Sequence, residues 1–365
     1  MSSLNLFDDP APPAPMSRLL VQANASEVEQ IGVTCARFPF DAIYSAASNA
    51  GVHRFEMLAG KAHRHAELSG GKLPLLDANI YAGKNRMTGM RVLSVEWAKT
   101  QDALGLPYIL TDSGFIEQGE LDQLRSVLSQ AVAIQKLVKT PVVAVLALAH
   151  TWLTERSEEL RTEIEMHGVR VALAIEHTND PFGSQKAVRG LIHVLRSSAT
   201  IWVMRTDLSA IGALAVGAEH AAIGTTTSLR HIYPSGKPGG PNNKSEWPSV
   251  LMQRGLVWKT LDRIKDLGAT FPDETMWLCN DCGTCHGRRM DVAIHSDEDA
   301  INHNNEVVLA ILSDVLGSPD PVETWRQKCS SAQFSIADIE STTGRTFRTP
   351  GFLGAWWGAT TPAAV

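Results

Sequence analysis

Cys279, Cys282 and Cys285 fall within seven residues, in a chain with only five cysteines. Two Cys-x2-Cys steps bring three anionic sulfurs into one tight turn. Such a turn suits a tetrahedral ion, and zinc is the usual partner of sulfur with nitrogen. A fourth donor is required, and His286, His295 and His303 lie within reach. His286 adjoins Cys285 and would strain the chelate. His295 sits in a polar stretch. His303 falls early in an apolar-periodic helix, AINHNNEVVLAILSDVL, which can hold its ring rigidly against the turn. The expected ligands are therefore Cys279, Cys282, Cys285 and His303, with His295 as the alternative to the last. Four protein ligands leave no open position, so the ion is structural. Cys329 leaves an iron–sulfur cluster as the minor alternative.

Carboxylates form the second group. The run Tyr108-Ile-Leu-Thr-Asp112-Ser-Gly-Phe115 is an apolar strand that ends in Asp-Ser-Gly-Phe. An aspartate there would point into the mouth of a barrel, where catalytic groups gather. Ser113 and Gly114 are small enough to let a planar ligand approach the backbone, and Phe115 could stack on it. Asp77, Glu96, Glu176, Asp180 and Asp207 also follow apolar runs. Asp207 directly precedes a helix and also fits a helix cap. His150 and His177 lie just past strands, where satisfied structural roles are the common case.

These residues need a scaffold, and the chain supplies a regular one between residues 72 and 232. Short apolar runs at 75–81, 92–97, 108–111, 142–148, 169–175, 200–204 and 221–224 read as strands. Amphipathic stretches at 120–138, 155–167, 184–196 and 208–217 read as helices between the later ones. Strands alternating with helices indicate βαβ units and a parallel sheet. Runs such as PVVAVLALA suit a sheet buried on both faces. The expected fold is α/β, a (β/α)8 TIM-like barrel with a C-terminal zinc-binding subdomain. Residues 1–18 read as a flexible leader, 19–270 as the barrel, 271–318 as the zinc-binding segment with its helix, and 319–365 as a tail. Within these, 251–267 and 297–316 read as helices and 322–329 as a short one. His231–Lys244 reads as a long exposed loop, and Trp356 and Trp357 as a cover for apolar surface. Neither GxGxxG nor GxxxxGK[ST] occurs, which counts against a nucleotide-phosphate loop.

The composition is ordinary for a globular protein, at 44% hydrophobic and 20% charged residues. The net charge of −6 excludes a binder that coats nucleic acid by bulk charge, but not a local basic groove. Arg230, Lys237, Lys244, Arg254, Lys259, Arg263, Arg288 and Arg289 form such a run along the chain. No stretch is long and apolar enough for a membrane span or an export signal, so a cytoplasmic protein with reduced, metal-binding cysteines is expected.

A barrel with a strand-end Asp-Ser-Gly-Phe and a late Cys3His knuckle resembles the tRNA-guanine transglycosylase superfamily. Its members exchange guanine in nucleic acid for a 7-deazaguanine base, and one branch acts on DNA. The family's strand-end motif is T-D-S-G-G-F, and Thr111-Asp112-Ser113-Gly114-Phe115 matches it with one glycine fewer. The family's zinc motif is C-x-C-x2-C followed by His-Asn on a helix. Cys279, Cys282 and Cys285 match with one extra residue in the first step, and His303-Asn304 matches the helix. The resemblance runs loosely over residues 75–316, and these two motifs carry nearly all of it. It implies structural zinc, and a nucleic-acid partner with DNA slightly favoured over tRNA. It also implies a 7-deazaguanine-type free base as co-substrate, and a base-exchange role for Asp112. Ser113, Gly114, Phe115 and Glu176 are the expected substrate contacts. Arg230, Lys237, Lys244, Arg288 and Arg289 are the expected nucleic-acid contacts. The family's nucleophilic aspartate lies in a later G-x-D-x-x-D run, matched here by residues 217–230 with Ala222 at its place. Alanine cannot attack, so Asp207 or Asp180 is expected to serve. The alternative is a non-catalytic subunit, and either reading leaves room for a homodimer or a partner protein.

Overall fold

The computed structural model describes residues 16–51, 53–235, 249–271, 277–280 and 282–361. Its strands rise in chain order: β1 (Leu19–Asn24), β2 (Asp41–Ser45), β3 (Leu75–Asp77), β4 (Ile109–Leu110), β5 (Phe115–Ile116), β6 (Val142–Leu148), β7 (Arg170–Ile175), β8 (Ile201–Thr206) and β9 (Ala221–Gly224). Both β4 and β5 pair with β6, so these nine strands make eight staves. Neighbouring staves pair in parallel, and β9 returns to pair with β1. At the remaining seam, β3 and β4 stand side by side without a ladder. There the Gln101 side chain does the strand's work: it accepts from the Leu110 amide at 3.2 Å and donates to the Leu110 carbonyl at 3.0 Å. The polar backbone of β4 is thereby satisfied in a buried place. This is the expected TIM-like barrel.

Helices α1 (Val28–Arg37), α2 (Arg54–Ser69), α3 (Val95–Ala103), α4 (Leu121–Gln135), α5 (Thr151–Thr154), α6 (Ser157–His167), α7 (Gln185–Leu195) and α8 (Ser209–Ala215) cross back outside the staves. After β9 the pattern breaks. An antiparallel hairpin follows, β10 (Ser249–Met252) with β11 (Val257–Thr260), and then α9 (Leu261–Thr270). The cysteine segment, α10 (Met290–Ala293) and α11 (Asp297–Leu316) come next, then α12 (Pro321–Thr343) and α13 (Gly351–Thr360). α11 packs on α8 on one side and faces α1 on the other, where Glu298 pairs with Arg37. It therefore occupies the place of the eighth barrel helix.

Several sequence expectations change. β1 and β2 fell outside the rhythm read from 72–232, because each ends in polar residues (Gln22, Asn24, Ser45) that face other polar groups. The 92–97 run is the approach to α3 and its first turn, where Glu96 is exposed and not at a strand end. Residues 251–267 split into hairpin and helix, since Leu256 takes a left-handed conformation (φ 46°) that breaks a helix. The helix at 322–329 extends over all of α12. Trp356 is buried and donates to Ser209 Oγ at 3.0 Å, as a covering residue should, while Trp357 is 43% exposed. Among the described residues no helix is long and apolar enough to cross a membrane.

Tight helix contact fixes α7 against α5. A Cβ built on Gly190 would lie 1.9 Å from the Leu153 carbonyl oxygen, a backbone atom that cannot swing away. Gly60, in α2, meets nothing within 4 Å. In urea unfolding, Gly190→Ala should cost about 2 kcal/mol or more despite alanine's better helix propensity. Gly60→Ala should be neutral, or stabilising by up to about 1 kcal/mol. Equal effects at the two sites would contradict this packing.

Candidate functional site

The three cysteines form a turn closed on itself. His286 donates its amide to the Cys282 carbonyl at 3.1 Å, Gly287 to Cys279 at 3.2 Å, and Cys279 to Arg288 at 3.3 Å. His286 and Gly287 both have positive φ, 51° and 74°, which folds the chain back sharply. His303, on α11, points its Nδ1 at the turn, 3.3 Å from Cys282 Sγ and 3.4 Å from Cys285 Sγ. Its Nε2 lies 3.0 Å from the Leu251 carbonyl of β10. A carbonyl accepts only, so Nε2 carries the proton and the Nδ1 lone pair is left for the sulfurs or for an ion among them. All four groups are buried, and their donor atoms lie within 4.8 Å of one another. They form a buried Cys3His cluster that could hold a metal ion, made of the four residues expected. Neither His295 nor Cys329 belongs to it. His295 lies on the exposed approach to α11, and Cys329 is buried in α12.

Neighbouring residues on α11 lock this arrangement. Asn304 accepts from the Leu251 amide and donates to the Ser249 carbonyl, each at 2.8 Å, and so grips β10. Glu306 accepts from the Thr284 amide at 3.1 Å and so grips the knuckle. Such outer partners orient the ligands of a metal.

The Asp112 motif is covered. Asp112 is buried, with one carboxylate oxygen on the Arg91 guanidinium and the other accepting from the Ser94 amide at 2.9 Å. It thereby holds the loop between β3 and α3. Gly114 is needed because a Cβ there would lie 2.0 Å from the Thr88 carbonyl oxygen of that loop. Ser113 is buried, 2.7 Å from Thr111 Oγ1. Phe115 is buried beneath the Arg86 guanidinium, at 3.6 Å. Arg86 also pairs with Glu176 and, at 3.0 Å, with Glu117. So Asp112, Ser113, Gly114, Phe115 and Glu176 gather at one end of the barrel as expected. They are engaged with Arg91, Thr88 and Arg86, and their expected open faces are closed.

Past the ends of the adjacent strands β7 and β8, Asp180 and Asp207 are electrostatic neighbours. Burial raises the Asp180 carboxyl to about 6; the Phe182 amide opposes this, and the Asp207 charge adds to it. Asp180 Oδ1 accepts from Phe182 at 2.9 Å and the Phe352 amide also favours the charged carboxylate, while Oδ2 is buried with no hydrogen bond of good geometry. Asp207 Oδ1 accepts from the Leu208 amide at 2.7 Å and from Trp258 Nε1 at 2.8 Å. It is thus part of a helix start, as its position suggested, and also the foot of β11. His231 sits among His177, Arg205, Arg230 and Asp207, and burial lowers it to about 4, so its ring is neutral near pH 7. His150 bonds to the Pro181 carbonyl at 2.9 Å and His177 to the Asn179 amide at 3.1 Å, both structural roles. Asp77 is buried and accepts from Ser45, Tyr81 and the Asn79 amide.

Several residues of the basic run are engaged within the fold. Arg230 stacks over Trp258 at 4.6 Å, donates to the Gly224 carbonyl and approaches Asp207 at 3.8 Å. Arg288 donates to the Cys285 carbonyl at 3.1 Å, and Arg289 pairs with Asp291 at 2.8 Å. Lys259 lies over Phe347. These four make contacts within the fold, while Arg254 and Arg288 also remain exposed to solvent. Lys237 and Lys244 lie outside the described residues. Arg86, Arg91 and Arg205 were missed in the sequence because nothing in their local spacing marks them.

No protein-family model matches the chain, and no curated protein matches it. Among solved structures it is similar to the 3-dehydroquinate dehydratase of Aquifex aeolicus, at 13% identity and TM-score 0.40 over 60% of this chain and 94% of that one. It is also similar to the deoxyribose phosphate aldolase of Aeropyrum pernix, at 15% identity and TM-score 0.38 over 58% and 86%. A third is the N-acetylneuraminate lyase of Aliivibrio salmonicida, at 14% identity and TM-score 0.31 over 58% and 69%.

Asp180 gives a pH test with a definite sign. Its native pKa, about 6, lies above the 3.8 of an ordinary aspartate, so between these values the native state holds a proton that the unfolded state has lost. Its contribution is present at low pH and is lost as pH rises through about 6. Asp180→Asn removes that loss. The stability of Asp180→Asn relative to wild type should rise between pH 4 and pH 7, by up to about 3 kcal/mol. A difference that does not change with pH would contradict the assignment.

Proposed function

We propose that the chain is a base-exchange glycosyltransferase of the tRNA-guanine transglycosylase type. It would replace guanine in nucleic acid, DNA in preference to tRNA, with a 7-deazaguanine base. The carrying observation is the Asp180–Asp207 pair, which follows two neighbouring staves at the barrel mouth, with burial raising the Asp180 carboxyl to about 6 and the Asp207 charge adding to it. A buried carboxyl that holds its proton beside a second carboxyl suits one proton carrier and one nucleophile. The Asp112 motif and the His303-Asn304 knuckle support the same family reading.

In this reading the target nucleotide leaves its stack to enter the mouth. Asp207 attacks the anomeric carbon as the bond from that carbon to the guanine nitrogen breaks, and Asp180 gives its proton to the departing base. The incoming base returns a proton to Asp180 and displaces Asp207, so protons and charge balance. Asp112 holds Arg91 and the Ser94 turn in the structure. The proposal therefore gives the proton to Asp180, although the family resemblance gives Asp112 the base-exchange step. Cys279, Cys282, Cys285 and His303 would hold zinc, which contributes folding free energy. None of the five cysteines forms a disulfide, in keeping with a cytoplasmic site of action.

One observation favours a second reading. Ala222, at the place of the family's nucleophile, is a buried methyl in β9, and the Asp112 motif lies under the loop before α3. A non-catalytic, nucleic-acid-binding or partner subunit would have such a site.

Incorporation of labelled guanine or 7-deazaguanine into duplex DNA, single-stranded DNA and tRNA separates the readings. The wild type should incorporate label, and Asp207→Asn should lower the rate about 100-fold or more. Asp180→Asn should remove the pH dependence near 6, and Asp112→Asn should retain that dependence. No incorporation into any substrate, with salt-sensitive binding intact, would leave the second reading standing.

A further inference from the structure

Arg205 is 4% exposed, and no carboxylate pairs with it among the described residues. One of its terminal nitrogens donates to Asn79 Oδ1 at 2.6 Å and to Tyr81 OH at 3.3 Å, and the other donates to the Ser228 carbonyl at 2.8 Å. The compensating charge nearest along this chain of bonds is Asp77, one hydroxyl further on, since Tyr81 OH donates to Asp77 at 2.8 Å. Arg205 Nε is buried and has no partner. A cation this deep, with an unused donor, is costly unless something negative completes it.

The backbone is bent to put it there. Arg205 has φ 53°, a left-handed conformation that a non-glycine residue adopts at a cost of about 1–2 kcal/mol. It falls where the β8–β9 register shifts, between Val203 and Thr206. Its amide is met by Gln22 Oε1 at 2.9 Å. A bulge of this kind re-aims a side chain, and strain held by surrounding bonds commonly marks a ligand site.

Arg205 lines a cavity of about 610 Å³ at the C-terminal ends of the staves. Lys84, Ser48 and Tyr233 line it too, and no acidic residue does among the described residues. Lys84 is exposed and has no ion-pair partner among the described residues. Gly83 delivers Lys84 to the rim: a Cβ on Gly83 would lie 2.7 Å from Ser48 Cβ, so only glycine allows that approach. Guanidinium, ammonium and two hydroxyls disposed around one space suit a tetrahedral oxyanion better than a flat carboxylate. Arg205 sits at the C-terminal end of the seventh stave and Tyr233 follows the eighth, a region where barrels of this kind commonly hold phosphate.

We propose that this cavity is a phosphate-binding site built on Arg205 and Lys84. It takes a phosphate group either from a nucleic-acid backbone or from a free phosphorylated small molecule. The site does not depend on base exchange, and binding tests it without reference to activity.

Calorimetry of the full-length protein with inorganic phosphate, a nucleoside 5′-monophosphate and a short single-stranded DNA gives the test. At least one probe should bind, and Arg205→Gln should weaken it about tenfold or more. Lys84→Gln and Tyr233→Phe, at the rim, should each weaken it about threefold or more, and they carry the test if Arg205→Gln does not fold. Tighter binding of the monophosphate or phosphate points to a free ligand, and tighter binding of the oligonucleotide to a strand backbone. Failure of all three probes to bind would overturn the site. So would unchanged binding in the folded variants.

Discussion

The His303 imidazole has its two nitrogens committed in opposite directions, and much of the structure hangs on that division. Nε2 binds the Leu251 carbonyl of β10, and Nδ1 faces the cysteine sulfurs. Because the ring rides on α11, the same bonds that assemble the knuckle set that helix in the eighth helical place of the barrel. Asn304 and Glu306 repeat the arrangement, one gripping the hairpin and the other the knuckle. A metal at the cluster would therefore bear on barrel closure, since α11 faces β9 and β1 across a cavity of about 280 Å³. The appendage is joined to the fold as one of its walls.

The two ends of the chemistry were unequally legible in the sequence. The cysteine spacing and the apolar period around His303 named all four ligands, because metal ligation is a local demand that spacing can express. The later staves were legible for a similar reason, since Val142–Leu148 and Arg170–Ile175 are almost purely apolar. β1 and β2 were not, because Gln22 and Ser45 belong to a polar network with Asp77 that only the closed barrel brings together. Asp112 was readable as a strand-end acid but not as the partner of Arg91. That pairing depends on how the loop between β3 and α3 folds back, and the sequence carries no period for it. Arg205 was passed over beside Asp207, because a buried cation without a counter-charge is visible only from its surroundings.

The mouth divides into two electrostatic halves. The arc from Asp112 through Glu176 is paired off by Arg91 and Arg86, so its charges are internally balanced. The arc from Asp180 to Arg205 is not: one carboxyl oxygen and one guanidinium nitrogen are buried with no hydrogen bond of good geometry. Unbalanced groups in a buried setting carry a free-energy cost that a ligand can relieve. The second arc therefore carries the unpartnered groups, and the first is paired within itself.

Hydrogen exchange of the metal-loaded and chelated protein, followed amide by amide, tests the structural core of this account most directly. With the metal removed, α11 should loosen, and amides of β1 and β9 should lose protection while those of β6 and β7 keep theirs. Unchanged protection in β1 and β9 after complete metal removal would contradict the claim that the cluster holds the barrel's eighth helix in place.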